Sequence, residues 1–175
     1  MKKEKIWSTN KIVSSSAMLV STLTLIVFIY QTTLMRQQQQ LSVMPYLSIS
    51  NNGTNTPNFK VILKNDGIGP AFIESRTITY QDSVYDMDLP NFLRYNIPAY
   101  DSIRHHVYYS NITPGRMIPH GEIIYLFQVD NSLEVAKKLD SLLVNLPYDI
   151  QITYSSIYKQ RWQIKNNQPI PKRIR

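Results

Sequence analysis

The chain has 175 residues, 43% of them apolar in the broad sense and 18% charged, with 5 glycines, 10 prolines and no cysteine. That length suits one ordinary domain plus an appendage. The apolar fraction is too high for a disordered chain, and proline plus glycine too low for a fibrous one. The lack of cysteine excludes a disulfide scaffold, a thiol nucleophile, an iron–sulfur cluster and any zinc site built on thiolate. The formal charge of +7 is concentrated at the ends: residues 41–158 hold eight basic and eleven acidic residues, whereas residues 159–175 hold six basic residues and no acid. A nucleic-acid-binding domain carries its positive charge on a face of the folded body, so no nucleic-acid partner is expected.

Lys11 and Arg36 bracket 24 uncharged residues, IVSSSAMLVSTLTLIVFIYQTTLM, at positions 12–35. At a rise of about 1.5 Å per residue, a bilayer core of about 30 Å needs about 20 residues, so the length predicts a transmembrane helix over 12–35. Residues 1–11 form the tail before it. A cleaved signal peptide is the rival reading, because Lys2, Lys3, Lys5 and Lys11 make a positive leader. The run Tyr30-Gln-Thr-Thr-Leu-Met-Arg36 has no A-x-A-like cleavage site, which favours an uncleaved signal anchor. Four basic residues precede the segment and one follows it, so the N-terminus is expected in the cytoplasm and the rest outside it, in a periplasm if the cell has two membranes. Ser14, Ala17, Ser21 and Thr24 follow a 3-4-3 spacing and place small residues on one stripe, a candidate face for helix association in lipid. The alternative is that these hydroxyls bond back to their own helix.

Residues 36–44 read as a polar stalk. Gln37 to Gln40 can continue the helix, and Pro45 ends it by pushing the preceding residue toward extended geometry. From Pro45 the period changes to two, and residues 45–165 read as the extracytoplasmic β-sandwich domain. Leu47 and Ile49 alternate with serines, Asn51-Asn52-Gly53-Thr54 makes a turn, and Phe59, Val61 and Leu63 define a second strand. Asn65-Asp66-Gly67-Ile68-Gly69-Pro70 is the sharpest turn signal, with glycine expected to supply positive φ. A third strand is predicted over 71–80, and a short helix or loop over 88–95 packs through Leu89, Phe92 and Leu93. Strands are expected again over 105–110 and 122–129. One further helix is expected, capped by Asn131 or Ser132, with Leu133, Ala136, Leu139, Leu142 and Leu143 as its buried stripe. Residues 148–154 and 161–164 read as a hairpin, and residues 166–175, with Pro169 and Pro171, as a loosely ordered basic C-terminal tail. The tail could also lie against anionic headgroups. Short strands with regularly spaced turns predict a mostly β fold, a transmembrane helix followed by a β-sandwich with one inserted α-helix.

The run Val61-Ile-Leu-Lys-Asn-Asp-Gly-Ile-Gly-Pro-Ala71, the later Pro114-Gly and Ile118-Pro-His-Gly-Glu122, and the Tyr154-Ser-Ser-Ile-Tyr158 hairpin with Trp162 carry a resemblance. In them the chain resembles uncharacterised bacterial inner-membrane proteins with one N-terminal anchor and an Ig-like extracytoplasmic domain. The resemblance implies that fold and that location. It attaches no catalytic residue to these motifs.

Residue types offer little chemistry. His105 and His106 are adjacent on a predicted strand and point to opposite faces, so they do not chelate one metal together, and His120 with Glu122 matches no ligand spacing. No serine sits in a G-x-S-x-G or S-x-x-K context, and Gly67-Ile-Gly69 lacks the third glycine and the lysine of a phosphate loop. Asp82, Asp86 and Asp88 do not meet the EF-hand pattern. No catalytic, metal or cofactor residues are therefore assigned and no enzyme activity is expected. Tyrosine is the exception, with 12 in the chain. Most suit strand filling, but Tyr95, Tyr100, Tyr108 and Tyr109 are candidates for an interface patch. The expectation is an anchored extracytoplasmic binding protein, a small non-catalytic subunit of a membrane assembly, partnered with the bilayer and with a membrane protein or a second copy. The alternative is a ligand sensor with its pocket between sandwich and inserted helix, signalling through the anchor to another subunit.

Overall fold

The computed structural model describes residues 9–166 and 168–174; the leader residues Lys2, Lys3 and Lys5 and the terminal Arg175 lie outside them. Two units are distinct, one ending at Leu41 and one running from Ser42 onward.

The first unit is a single helix, α1 (Thr9–Ser42), 34 residues long, none of them buried. It is long and apolar enough to cross a membrane. Leu19, Leu23, Ile26, Phe28 and Ile29 are all exposed. Six hydroxyls along it are satisfied locally: Ser16 donates to the carbonyl of Val13, Ser21 to Ala17, Thr22 to Met18, Thr24 to Val20, Thr32 to Phe28 and Thr33 to Ile29, at 2.8–3.0 Å. Such back-bonding makes serine and threonine tolerable in an apolar medium. The helix runs on through the glutamines to Ser42, ahead of Pro45.

The second unit holds two antiparallel sheets, an arrangement consistent with a β-sandwich. One sheet contains β1 (Leu47–Asn52), β2 (Lys60–Asn65), β5 (Val107–Tyr108) and β7 (Ile123–Val129), in the order β1-β2-β7-β5. The other contains β3 (Ala71–Tyr80), β4 (Ser83–Tyr85), β8 (Tyr148–Ser155), β9 (Arg161–Lys165) and β10 (Gln168–Ile174), in the order β10-β9-β8-β3-β4, with β6 (Met117–Ile118) paired to the start of β3. Two helices complete it, α2 (Leu89–Asn96) and α3 (Leu133–Asn145). The core draws on every layer: Leu47, Leu63 and Phe127 from the first sheet, Ile73, Ile78, Ile152 and Tyr154 from the second, Phe92 and Leu93 from α2, and Leu139 from α3. Tyr154 stacks on Trp162 at 6.0 Å, and its hydroxyl accepts from the backbone N–H of Leu47 at 3.3 Å, joining the two sheets.

Several expectations need correction. Residues 105–110 are not one strand: a 3₁₀ turn over Arg104–His106 precedes the two-residue β5, and an earlier 3₁₀ helix covers Pro98–Ser102. Ile97, Tyr100 and Ile103 are buried at a spacing of three, the repeat of the tighter helix rather than of a strand. Within the C-terminal segment, Gln168–Ile174 is not loose; it forms β10 against β9, with a register shift between Gln168 and Lys172. Proline lacks the ladder N–H, and an edge strand with a bulge is where it is accepted. The second unit has two α-helices rather than one. On α3 the buried face is Val135, Ala136 and Leu139, while Leu133, next to the Ser132 cap, is 43% exposed.

The turn after β2 holds the most connected side chain. Asn65 is fully buried; its Nδ2 donates to the carbonyls of Gly69 at 2.9 Å and Ile118 at 3.0 Å, and its Oδ1 accepts from the N–H groups of Tyr46 and Gly67, both at 3.1 Å. Its own N–H donates to Glu122 and its carbonyl accepts from Gly121. The glycines here do not supply positive φ, which belongs instead to Gly53, Gly115 and Gly121. A Cβ on Gly67 would strike the backbone of Met44 and Tyr46, and one on Gly69 that of Val43. They are needed because segment 43–46 crosses directly over them, held by the Asp66 N–H to Tyr46 and the Gly69 N–H to Met44.

With four side-chain bonds worth about 1 kcal/mol each and buried partners left unpaired, Asn65→Ala lowers unfolding stability by about 2–4 kcal/mol. Gly69→Ala falls in the same range by steric clash. Denaturant unfolding of both variants reads these losses; a change within about 0.5 kcal/mol, usual for surface substitutions, refutes the clamp.

Candidate functional site

The region most unlike a plain sheet edge lies between β4 and β5. Asp88 organises it. Its Oδ1 accepts from the N–H of Asn91 at 3.2 Å, capping α2, and its Oδ2 accepts from the N–H of Ile112 at 2.9 Å. This carboxylate is 3% exposed and fastens the start of α2 to the strand region that follows. Phe92 then meets Tyr80 and Tyr85 edge-on at 5.4 and 5.2 Å, setting the rotation of α2. That rotation leaves Arg94 and Tyr95 outward at its last turn, with the Arg94 guanidinium 5.6 Å from the Tyr95 ring centre.

Beyond α2 the two 3₁₀ turns bring Tyr100, Arg104 and His105 beside Arg94 and Tyr109, and these five residues line a cavity of about 230 Å³. Arg94 Nη1 donates to the Tyr109 hydroxyl at 3.3 Å. Arg104 Nε lies 3.6 Å from Asp101, an exposed ion pair worth little in itself. Tyr100 is 1% exposed, packs edge-on to Phe127 at 6.1 Å, and its hydroxyl is buried without a hydrogen-bond partner. Burial pushes its phenol up to about 12, Tyr109 adds to the shift and Arg94 opposes it. Chemically the arrangement is a cluster of hydrogen-bond donors: two guanidiniums, an imidazole and two phenols.

Of the tyrosines picked out as an interface patch, Tyr95 (69% exposed), Tyr108 (66%) and Tyr109 (38%) are at the surface. Tyr100 is not; it is part of the core and borders the cavity from beneath. Of the histidines, His105 lines the cavity and His106 follows it on a 3₁₀ turn rather than on a strand. His120 is elsewhere, its Nδ1 2.7 Å from the carbonyl of Gly67. Glu122, weighed as its companion, is paired with Arg116 at 2.8 Å. Among the described residues no three His, Asp or Glu side chains converge as a metal site would require. Arg94 and Arg104 were not singled out from the sequence. Their signal was available: two of only eight basic residues between positions 41 and 158, placed either side of Tyr95 and Tyr100.

On α1, Ser21 and Thr24 of the small-residue stripe spend their hydroxyls on their own helix, donating to the carbonyls of Ala17 and Val20. A second cavity of about 330 Å³ lies among β1, β8 and α3, lined by Ile49, Leu126, Leu143, Val144 and Ile150, with Asn51 and Asn166 as polar groups. Tyr148 also lines it, and burial pushes that phenol up to about 12.

No protein-family model matches the chain, and no curated protein matches its sequence.

Three phenols, those of the buried Tyr100 and Tyr154 and the partly buried Tyr148, are raised above the ordinary value of 10 by desolvation. Below pH of about 10 both folded and unfolded chains keep these protons. Above it the unfolded chain releases protons that the folded one retains, so stability is fully present below that pH and falls as it rises toward about 12. A titration of tyrosinate absorbance alongside circular dichroism checks this. Exposed tyrosines ionise first, and the last group ionises together with loss of the fold; ionisation of every tyrosine near pH 10 with the fold intact contradicts it.

Proposed function

We propose that the chain is a single-pass membrane protein whose second unit, an Ig-like domain outside the cytoplasm, binds a partner within a membrane assembly. The observation that carries this reading is α1: residues 12–35 hold no charge and none of the helix is buried. In water, that exposed apolar surface would drive aggregation; in a bilayer it is the favoured state. The charge asymmetry across the segment supports a cytoplasmic N-terminus. With this goes the proposal that the membrane is a bacterial inner membrane and that the domain lies in the periplasm. The stripe of Ser14, Ala17, Ser21 and Thr24 gives a second helix, from a partner or another copy, a face for close approach. On the outer domain, Tyr95, Tyr108 and Tyr109 supply aromatic area with a polar tip, the composition favoured at interfaces.

A second reading, a ligand sensor acting through another membrane subunit, has one observation in its favour. The cavity between the sheets and α3 lies within the size range of small-molecule pockets, which begins at about 300 Å³.

Fractionation and site-specific crosslinking test the first reading. The full-length protein stays with membranes through carbonate washing, and external protease reaches the second unit only once the outer permeability barrier is opened. A photocrosslinker at Tyr95 or Tyr108 captures a defined partner, whereas one at Val84, equally exposed on β4, does not. Recovery of the full-length chain in a detergent-free soluble fraction overturns the proposal. A thermal-shift screen of the detergent-solubilised chain, in which small apolar ligands raise the unfolding midpoint and Leu143→Trp abolishes the rise, would favour the sensor.

A further inference from the structure

The cavity beside α2 has a chemistry of its own. Four of its five lining residues are exposed and bring donors to its rim: Arg94, Arg104, His105 and Tyr109. The fifth, Tyr100, contributes a buried hydroxyl with no partner. A phenol buried without a hydrogen bond is destabilising, and such a group calls for a partner that the protein itself does not provide. The acceptor it lacks is not supplied by neighbouring protein groups. Two guanidiniums face one carboxylate, Asp101, which engages only Arg104 and only at 3.6 Å, so positive charge is in excess. At about 230 Å³ the space is smaller than the pockets that enclose whole drug-sized molecules; it fits one compact group.

We propose that this cavity binds a single oxyanionic group, a phosphate or a carboxylate, with Arg94 and Arg104 holding it at the rim and the Tyr100 hydroxyl donating to it from the floor. Guanidinium forks match oxyanion geometry, and hydrogen bonds to a charged acceptor are about twice as strong as neutral ones. The inference rests on reading this surface as the binding face of the domain and names the chemistry of what it holds. The anion comes either free from solution or as a terminal group on a larger partner, and the first source is the one tested in isolation.

The test is calorimetric titration of the full chain in a neutral detergent at constant ionic strength, with inorganic phosphate, acetate and chloride as probes. Saturable binding of phosphate or acetate but not chloride supports the site, and whichever binds assigns a tetrahedral or planar group. Tyr100→Phe keeps the ring against Phe127 and removes only the hydroxyl. It is expected to weaken binding at least about tenfold while leaving the unliganded unfolding midpoint equal or higher, an outcome that a structural role for the hydroxyl would reverse. Arg94→Gln with Arg104→Gln abolishes saturation, and Lys172→Gln, on β10, leaves it intact. Heats that never saturate, or unchanged affinity in both Tyr100→Phe and the double glutamine variant, overturn the proposal. Neither result depends on a partner or a membrane, so the crosslinking experiment and this one can fail separately.

Discussion

The side-chain amide of Asn65 is the contact on which the arrangement of the second unit depends. A primary amide has two donors and an acceptor oxygen, and all of them are used in the interior: two carbonyls receive its N–H groups and two backbone N–H groups share its oxygen. Those four partners belong to separate stretches of chain: the segment entering β1, the turn after β2, and the end of β6. No apolar residue could substitute, because each backbone group would be left buried and unpaired. An aspartate could not substitute either, since it would face two carbonyl oxygens with no hydrogen to give. The glycines two and four residues later complete the arrangement by lacking the carbon that would keep segment 43–46 away.

Much of this architecture was legible in residue order, and the failures have identifiable physical origins. The ten-residue strand Ala71–Tyr80 was readable because a strong turn signal precedes it and β-branched residues recur along it. Residues 88–95 read only as a short helix or loop packed through Leu89, Phe92 and Leu93; all three are buried, and the Asp88 cap that settles the segment as α2 was not recognised. Strands β4 and β6 were not readable, for two or three residues cannot display a period. The stretch around His105 and Val107 was assigned as strand from its β-branched and aromatic residues, yet the burial of Ile97, Tyr100 and Ile103 committed the chain to turns of three. Prolines argued for disorder at the C-terminal end, where pairing to β9 prevailed because a bulge absorbs them. At residues 65–70 the turn was recognised but the purpose of its glycines was misread, since a close approach by a distant segment leaves no trace in local spacing.

The candidate site was less legible than the fold for a related reason. Composition suggested an interface patch of tyrosines; Tyr95, Tyr108 and Tyr109 are individually exposed. The fourth matters differently: Tyr100 is a core residue whose ring is matched by Phe127 and whose hydroxyl is matched by nothing. That mismatch, together with the neighbouring guanidiniums, arises only after two short 3₁₀ turns have wound the backbone back on itself. Each residue taken alone has an ordinary explanation, and only their convergence around one small space gives the cluster a chemical character.

The clamp around Asn65 also bears on how the chain behaves under mechanical load. Its grip falls on Val43 to Tyr46, the residues that come immediately after Ser42 at the end of α1. Tension entering along the backbone at that point reaches the amide and its glycine neighbours before it reaches the ladder between β1 and β2.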